Sequence, residues 1–311
     1  MEAVSIGRTI LLKMADSPFL NRQATQRTFV KRATRRFMPG EAPEDALRAA
    51  QALKAEGRGT VFTKLGENIV VPADAEAVRD HYLWFFDQLA ASGLDGHVSV
   101  KPTQLGLDLS YDKCLEHMMV LAARSESIGK VFWIDMEGFV YVDPTLKLYR
   151  ALKAKHPHVG LALQAYLYRT QADIDALMDL HPIIRLVKGA YAEPSSVAYP
   201  VKADTNRNYF DLADRMLQAA ASRHCTAILG THDIPLLDRL VARAKAHGTP
   251  DKGYEIHMLY GIRDADQRRL RSEGRTVKTL ISYGSAWYKW YMRRLAERPA
   301  NVMFVLKSMI G

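Results

Sequence analysis

The sequence predicts an α/β protein, a (β/α)8 barrel behind a helical lead, and three observations carry that reading. Eight short β-rich runs recur from Gly59 onward: TVFTKL, HVSVKP, VFWIDM, GLALQAY, IIRLVKG, TAILGTH, YEIHML and TLISYG. Between them lie stretches such as ADAEAVRDHYLWFFDQLAASG and DTNRNYFDLADRMLQAAASRH, whose apolar residues fall three and four apart, as in amphipathic helices. Runs such as TAIL and GLAL are continuous in apolar residues, as parallel strands covered on both faces require. An open doubly wound sheet rarely needs eight such units.

Each part of the chain can be placed against that frame. Residues 1–58 form an N-terminal helical segment, in which NRQATQRTFVKRATRR (21–36) is basic and PGEAPED opens a helix running to about Ala55. Residues 59–311 form the barrel. The 311 residues, 48% hydrophobic and 25% charged, suit one or two packed domains and exclude disordered, collagenous and disulfide-rich classes. A charge of +9 favours anionic partners without choosing among them. Cys114 and Cys225 are too few for a disulfide scaffold, no run of 18 apolar residues occurs, and Arg8, Lys13 and Asp16 interrupt the N-terminal apolar stretch. A soluble cytoplasmic protein is expected. Gly57-Arg58-Gly59 lacks the third glycine of a dinucleotide fingerprint, and no P-loop, HExxH or GxSxG is present. His224, His232 and His257 lie on different elements without ligand spacing, so no metal site is expected.

Barrel enzymes place their chemistry at the C-terminal ends of the strands. HVSVKP ends in Lys101, VFWIDM carries Asp135 with Glu137 beyond it, and GLALQAY carries Gln164. IIRLVKGAY brings Arg185, Lys188 and Tyr191, and TAILGTH ends in Thr231 and His232. Five consecutive strands thus aim polar groups at one rim, where buried charge is uncommon unless paired or functional. A second concentration, YGSAWYKWYMRRLAERPAN, reads as a helix carrying Arg293, Arg294 and Glu297. By spacing alone Arg293 and Glu297 are an exposed i,i+4 pair worth roughly 0.3–0.5 kcal/mol. Functionally, two guanidiniums grip a carboxylate while an acid one turn further holds an amine, which suits an amino acid. A barrel lyase forming a Schiff base on Lys101 or Lys188 is the enzyme alternative. An anion-binding module built on residues 21–36 is the alternative of another class, but neither RNP-type aromatics nor a helix-turn-helix accompanies the charges, and no nucleic acid is expected.

RLVKGAY (185–191), GTHD (230–233), Leu259-Tyr260-Gly261 and YMRRLAERPAN (291–301), in this order, resemble the proline dehydrogenase family in its short monofunctional form. The resemblance runs from LGE at Leu65–Glu67 through the last helix, about four-fifths of the chain. It implies a distorted (β/α)8 TIM-type barrel holding FAD without a covalent bond. The implied reaction oxidises L-proline to Δ1-pyrroline-5-carboxylate by hydride transfer to flavin N5, the first step of proline catabolism to glutamate. It further implies that the last helix sits over the site instead of against the wall. Arg293 and Arg294 would bind the proline carboxylate, Glu297 the ring nitrogen, and Lys101, Asp135, Tyr191 and Leu259 the rest of the substrate pocket. Gln164, Arg185, Val187, Lys188, Gly189, Lys202, Thr231 and His232 match flavin-binding positions, and Glu41 matches an acid that gates the site by pairing with the first clamp arginine.

The implied partners are a membrane quinone as electron acceptor, met at the inner face of the membrane, and pyrroline-5-carboxylate dehydrogenase. Two positions depart from the family pattern: Trp290 and Leu280 stand where tyrosines are frequent. A lost hydroxyl can shift discrimination by about 1–3 kcal/mol, so a hydroxyproline-preferring enzyme is the alternative within the fold.

Overall fold

The computed structural model describes residues 34–296 together with Met14, Ser17 and Arg22. Eight parallel strands close in sequence order: β1 (Gly59–Lys64), β2 (Gly96–Val100), β3 (Phe132–Ile134), β4 (Val159–Gln164), β5 (Ile183–Val187), β6 (Thr226–Gly230), β7 (Tyr254–Leu259) and β8 (Val277–Tyr283). β8 returns to β1 with Leu280 opposite Val61. Every one of the eight β-rich runs is a strand. Phe62, Val98, Ile134, Leu161, Ile184, Leu229, Ile256 and Ile281 pack outward in the main core. Val61, Trp133 and Ile228, with Ile183 and Leu280, form a separate cluster inside the barrel. Burial on both faces is why the runs are continuously apolar. Gly160 makes the interior packing possible, since a Cβ there would lie 2.6 Å from the Trp133 ring.

The wall helices are α2 (Pro72–Ser92), α3 (Tyr111–Ser127), α4 (Val142–Lys153), α5 (Thr170–Leu177), α6 (Lys202–Ala221), α7 (Ile234–His247) and α8 (Asp264–Ser272). Their boundaries follow local chemistry. Ser110 Oγ accepts from the Lys113 amide at 3.3 Å to open α3, and Asp233 Oδ1 accepts from Leu236 N at 3.4 Å to open α7. Gly93 ends α2 in the left-handed conformation, φ +61°.

The distortion of the barrel has a specific origin. Helix α1 (Pro43–Ala55), foreseen from PGEAPED, buries Ala46, Ala50 and Leu53 against β1 and β8. It takes the wall position that a helix following β8 would fill. The last helix, α9 (Trp287–Ala296), lies across the mouth, where Trp287, Tyr288, Trp290, Tyr291, Met292 and Leu295 pack on Met38, Leu65 and Phe37. At the opposite end, Lys278 contacts His97 and Glu255, and Glu255 also pairs with His257 at 2.9 Å. Among the described residues no helix is long and apolar enough to cross a membrane.

Candidate active site

Three strand-end loops and α9 enclose a cavity of about 340 Å³, lined chiefly by Glu67, Glu137, Tyr141, Tyr191, Lys289 and Arg293. The aromatic face of α9 anchors the helix, with Trp287 Nε1 donating to Glu41 Oε1 at 2.9 Å and the Tyr288 hydroxyl donating to the Met14 carbonyl at 3.1 Å. That seating turns Arg293 inward, where only 9% of it is exposed. Its Nη1 and Nη2 donate to Glu67 Oε1 and Oε2 at 3.0 and 3.1 Å, and its guanidinium lies 5.5 Å from the centre of the Tyr191 ring. Lys289 Nζ adds a contact to Glu67 at 3.1 Å. Burial acts to raise the Glu67 pKa, but Arg293, Lys101 and Lys289 outweigh it and hold the carboxyl at about 2. A forked arginine gripping a half-buried carboxylate has the geometry of a carboxylate receptor.

The gate expected at Glu41 needs correction. Arg293 pairs with Glu67, whereas Glu41 is tied to the start of α9 through Trp287 and through its carbonyl, which accepts from Gly284 N at 2.9 Å. Arg293 sits six residues beyond Trp287, about 9 Å along a helix rising 1.5 Å per residue. Glu67 lies three residues beyond the end of β1, where it meets that turn. Sequence reasoning quoted LGE without giving its acid a role. Arg294 follows Arg293 on α9 and is half-buried. Glu297 lies outside the described residues.

Beneath the cavity the barrel interior becomes polar. Arg185 Nη2 donates to Ser99 Oγ at 2.9 Å and pairs with Asp135 Oδ1, while Ser99 Oγ donates to the same carboxylate at 2.8 Å. The guanidinium sits 4.8 Å over the Trp133 ring. Burial lowers the Arg185 pKa, opposed by Asp135. Asp135, expected in the substrate pocket, is thus joined to an arginine expected at the flavin. Lys101, at the end of β2, is buried and acts electrostatically on both Glu67 and Glu137. Glu137 is itself buried, its oxygens accepting from the Thr103 hydroxyl at 2.6 Å and amide at 3.0 Å.

The remaining flavin-assigned positions lie at the tops of β4 to β6 and at the start of α6. Gln164 Nε2 donates to the Met136 carbonyl at 3.4 Å, and Val187 is its partner across the β4–β5 pair. Lys188 Nζ donates to Asn206 at 2.6 Å and Asp233 at 2.7 Å. Gly189 has φ +116°, and a Cβ there would meet the Tyr166 ring at 2.2 Å. Thr231 Oγ1 accepts from Asp233 N at 3.3 Å, and His232 Nε2 accepts from the Leu259 amide at 2.9 Å. Lys202 opens α6 and is exposed. Ser99, Thr103, Asn206 and Asp233 escaped the sequence reading; GTHD contained the last, and the others carried no motif signal.

The proline dehydrogenase family model matches residues 46–307. "Proline dehydrogenase 2" of Bacillus subtilis is 36% identical over 305 residues, covering 98% of this chain and 99% of that protein. "Proline dehydrogenase" of Deinococcus radiodurans is 36% identical over 308 residues, 97% of each. Among solved structures, proline utilization A from Bdellovibrio bacteriovorus superposes with a TM-score of 0.79 at 20% identity, over 86% of this chain and 32% of that longer one. The barrel, the helix across its mouth and these matches together assign the chain to the proline dehydrogenase family.

Proposed function

We propose that the protein oxidises L-proline to Δ1-pyrroline-5-carboxylate with FAD held noncovalently in the barrel. The observation that carries this is the Arg293 fork, which already grips the half-buried Glu67 carboxylate in a cavity of amino-acid size. The substrate carboxylate takes the place of Glu67 on Arg293, with Arg294 beside it, and the ring nitrogen faces acids, Glu297 among them. Holding both ends of a small zwitterion fixes the carbon next to nitrogen, so positioning supplies much of the catalysis.

The residues present fit the cofactor. Arg185 Nη1 and Gln164 Oε1 are buried without a hydrogen-bond partner, a costly state that a polar ring edge relieves. Arg185 and Gln164 would face the isoalloxazine, while Lys188, Gly189, Lys202, Thr231 and His232 would line the ribityl and phosphate groups. When bound, FAD supplies the hydride acceptor. Arg185 would stabilise negative charge there, held in place beforehand by Ser99 and Asp135.

A membrane quinone is the proposed electron acceptor, reached by peripheral attraction of the +9 chain to anionic lipid, and pyrroline-5-carboxylate dehydrogenase the proposed consumer of product. Leu280 sits among Val61, Trp133 and Ile228, and Trp290 is buried in α9, so neither offers a hydroxyl to 4-hydroxyproline. L-Proline is therefore preferred. Purified protein should be yellow and bleach with L-proline without oxygen. A colourless protein that cannot be reconstituted with FAD refutes the reading, and a lysine adduct trapped by borohydride with an aldehyde would point to the lyase.

A further inference from the structure

We propose that Glu137, supported by Thr103, accepts the proton that the substrate ammonium must lose before hydride can leave the adjacent carbon. This rests on the proline reading and names a residue that the sequence noted without a role.

Four acids at the mouth and upper interior are differently employed. Glu67 is held by Arg293, Asp135 by Arg185, and Asp233 by Lys188. Glu137 instead has neutral hydrogen-bond donors, the hydroxyl and amide of Thr103. Its side chain lines the cavity that Arg293 also lines, although only 2% of the residue is exposed. The surrounding charges are mixed. Lys101 favours its ionised form, Glu67 opposes it, and Glu137 in turn acts on Arg293, Tyr191, Tyr141 and Cys114. Burial raises the Glu137 pKa to about 7, with the Thr103 bonds and Lys101 limiting the rise. An acid matched to neutral pH is suited to reversible proton transfer.

The step balances simply. A secondary ammonium and a carboxylate become a secondary amine and a carboxylic acid, with the N–H bond broken and an O–H bond formed, directly or through one water. The nitrogen lone pair then supports departure of hydride from the ring carbon, leaving an iminium. The acid returns its proton to solvent when product leaves.

The test uses the flavin-loaded enzyme and anaerobic reduction by L-proline followed across pH. In the wild type, kcat/KM should fall as pH drops through about 7, because protonated Glu137 cannot accept. Glu137→Gln should lose that limb and react about tenfold to a hundredfold more slowly at pH 7.5. Tetrahydrofuran-2-carboxylate has the same ring and carboxylate but no ammonium, so its binding, read by calorimetry, should be unchanged in Glu137→Gln. Thr103→Val removes a bond to the charged form and should move the limb upward by about one pH unit.

A Glu137→Gln profile superimposable on the wild type overturns the assignment. If that variant loses analogue binding as well, the Thr103→Val limb decides, and an unmoved limb overturns it. Wild-type enzyme that proline does not reduce would refute the underlying proline reading instead.

Discussion

Arg293 and Glu67 face each other prong to prong, Nη1 on Oε1 and Nη2 on Oε2, with Lys289 on the same carboxylate and Tyr191 under the guanidinium. The same fork cannot hold Glu67 and a substrate carboxylate in this geometry at once. On the proposed reading, in which Arg293 takes the substrate carboxylate, binding is an exchange of one carboxylate for another.

Removing the fork should weaken substrate binding while sparing the cofactor site. Arg293→Met should raise the KM for L-proline about a hundredfold, equivalent to about 3 kcal/mol for a charged two-point contact. Flavin content, measured by absorbance after purification, should stay normal. Arg294→Met should also raise KM, and unchanged kinetics in both would reject the clamp.

Arg185 is buried inside the barrel with Asp135 as its counter-ion. Asp135→Ala leaves a buried guanidinium without its counter-ion and should cost about 3–5 kcal/mol of stability, read as a lower urea midpoint. Asp135→Asn keeps a hydrogen-bond acceptor and should cost less.

Gly189→Ala should be harmful out of proportion to one methyl group. The backbone stands at φ +116° and the new Cβ would fall 2.2 Å from the Tyr166 ring, so the loop must move. A loss of about 1–3 kcal/mol in equilibrium unfolding is expected. Flavin retention on gel filtration should fall with it.

Acid should weaken the fold in two stages. Burial holds His81, with Lys64 reinforcing it, and His257 at about 4, whereas unfolded histidine protonates near 6.5. Between those values the unfolded chain binds more protons, so stability falls as pH drops from 6.5 to 4. Glu67, depressed to about 2, stabilises fully above its unfolded value of about 4.5 and loses that contribution as pH falls toward 2. Calorimetric Tm against pH should show both stages. His257→Gln should flatten the upper one and Glu67→Gln the lower.

The strands were legible because apolar cover on both faces leaves a local signature, clearest in TAIL and GLAL, and because β-rich runs alternate with helical ones. The polar strand ends were legible for the same reason: Lys101, Gln164 and Arg185 interrupt that pattern. The pairing of Arg293 was not. Glu41 and Glu67 are both single acids near the start of the barrel, and what separates them is which one the closed barrel sets beneath α9. Ser99 and Thr103 were equally silent, since a small hydroxyl in a strand or loop becomes informative only through the charged groups beside it. The use of α1 as a wall helix also depends on β1 and β8 meeting, which no local window records.

Because α1 already seals the seam between the first and last strands, α9 is free of any duty in keeping the sheet covered. It is fastened over the mouth by aromatic side chains, with Gly284, at φ +109°, before its first turn. Swinging it outward exposes the Met38 and Leu65 surface but leaves the main core intact. Backbone amides of α9 should accordingly exchange with deuterium well before those of β4 and β5. On the proposed reading, a small amino acid would come and go through such an opening without the barrel unfolding at all.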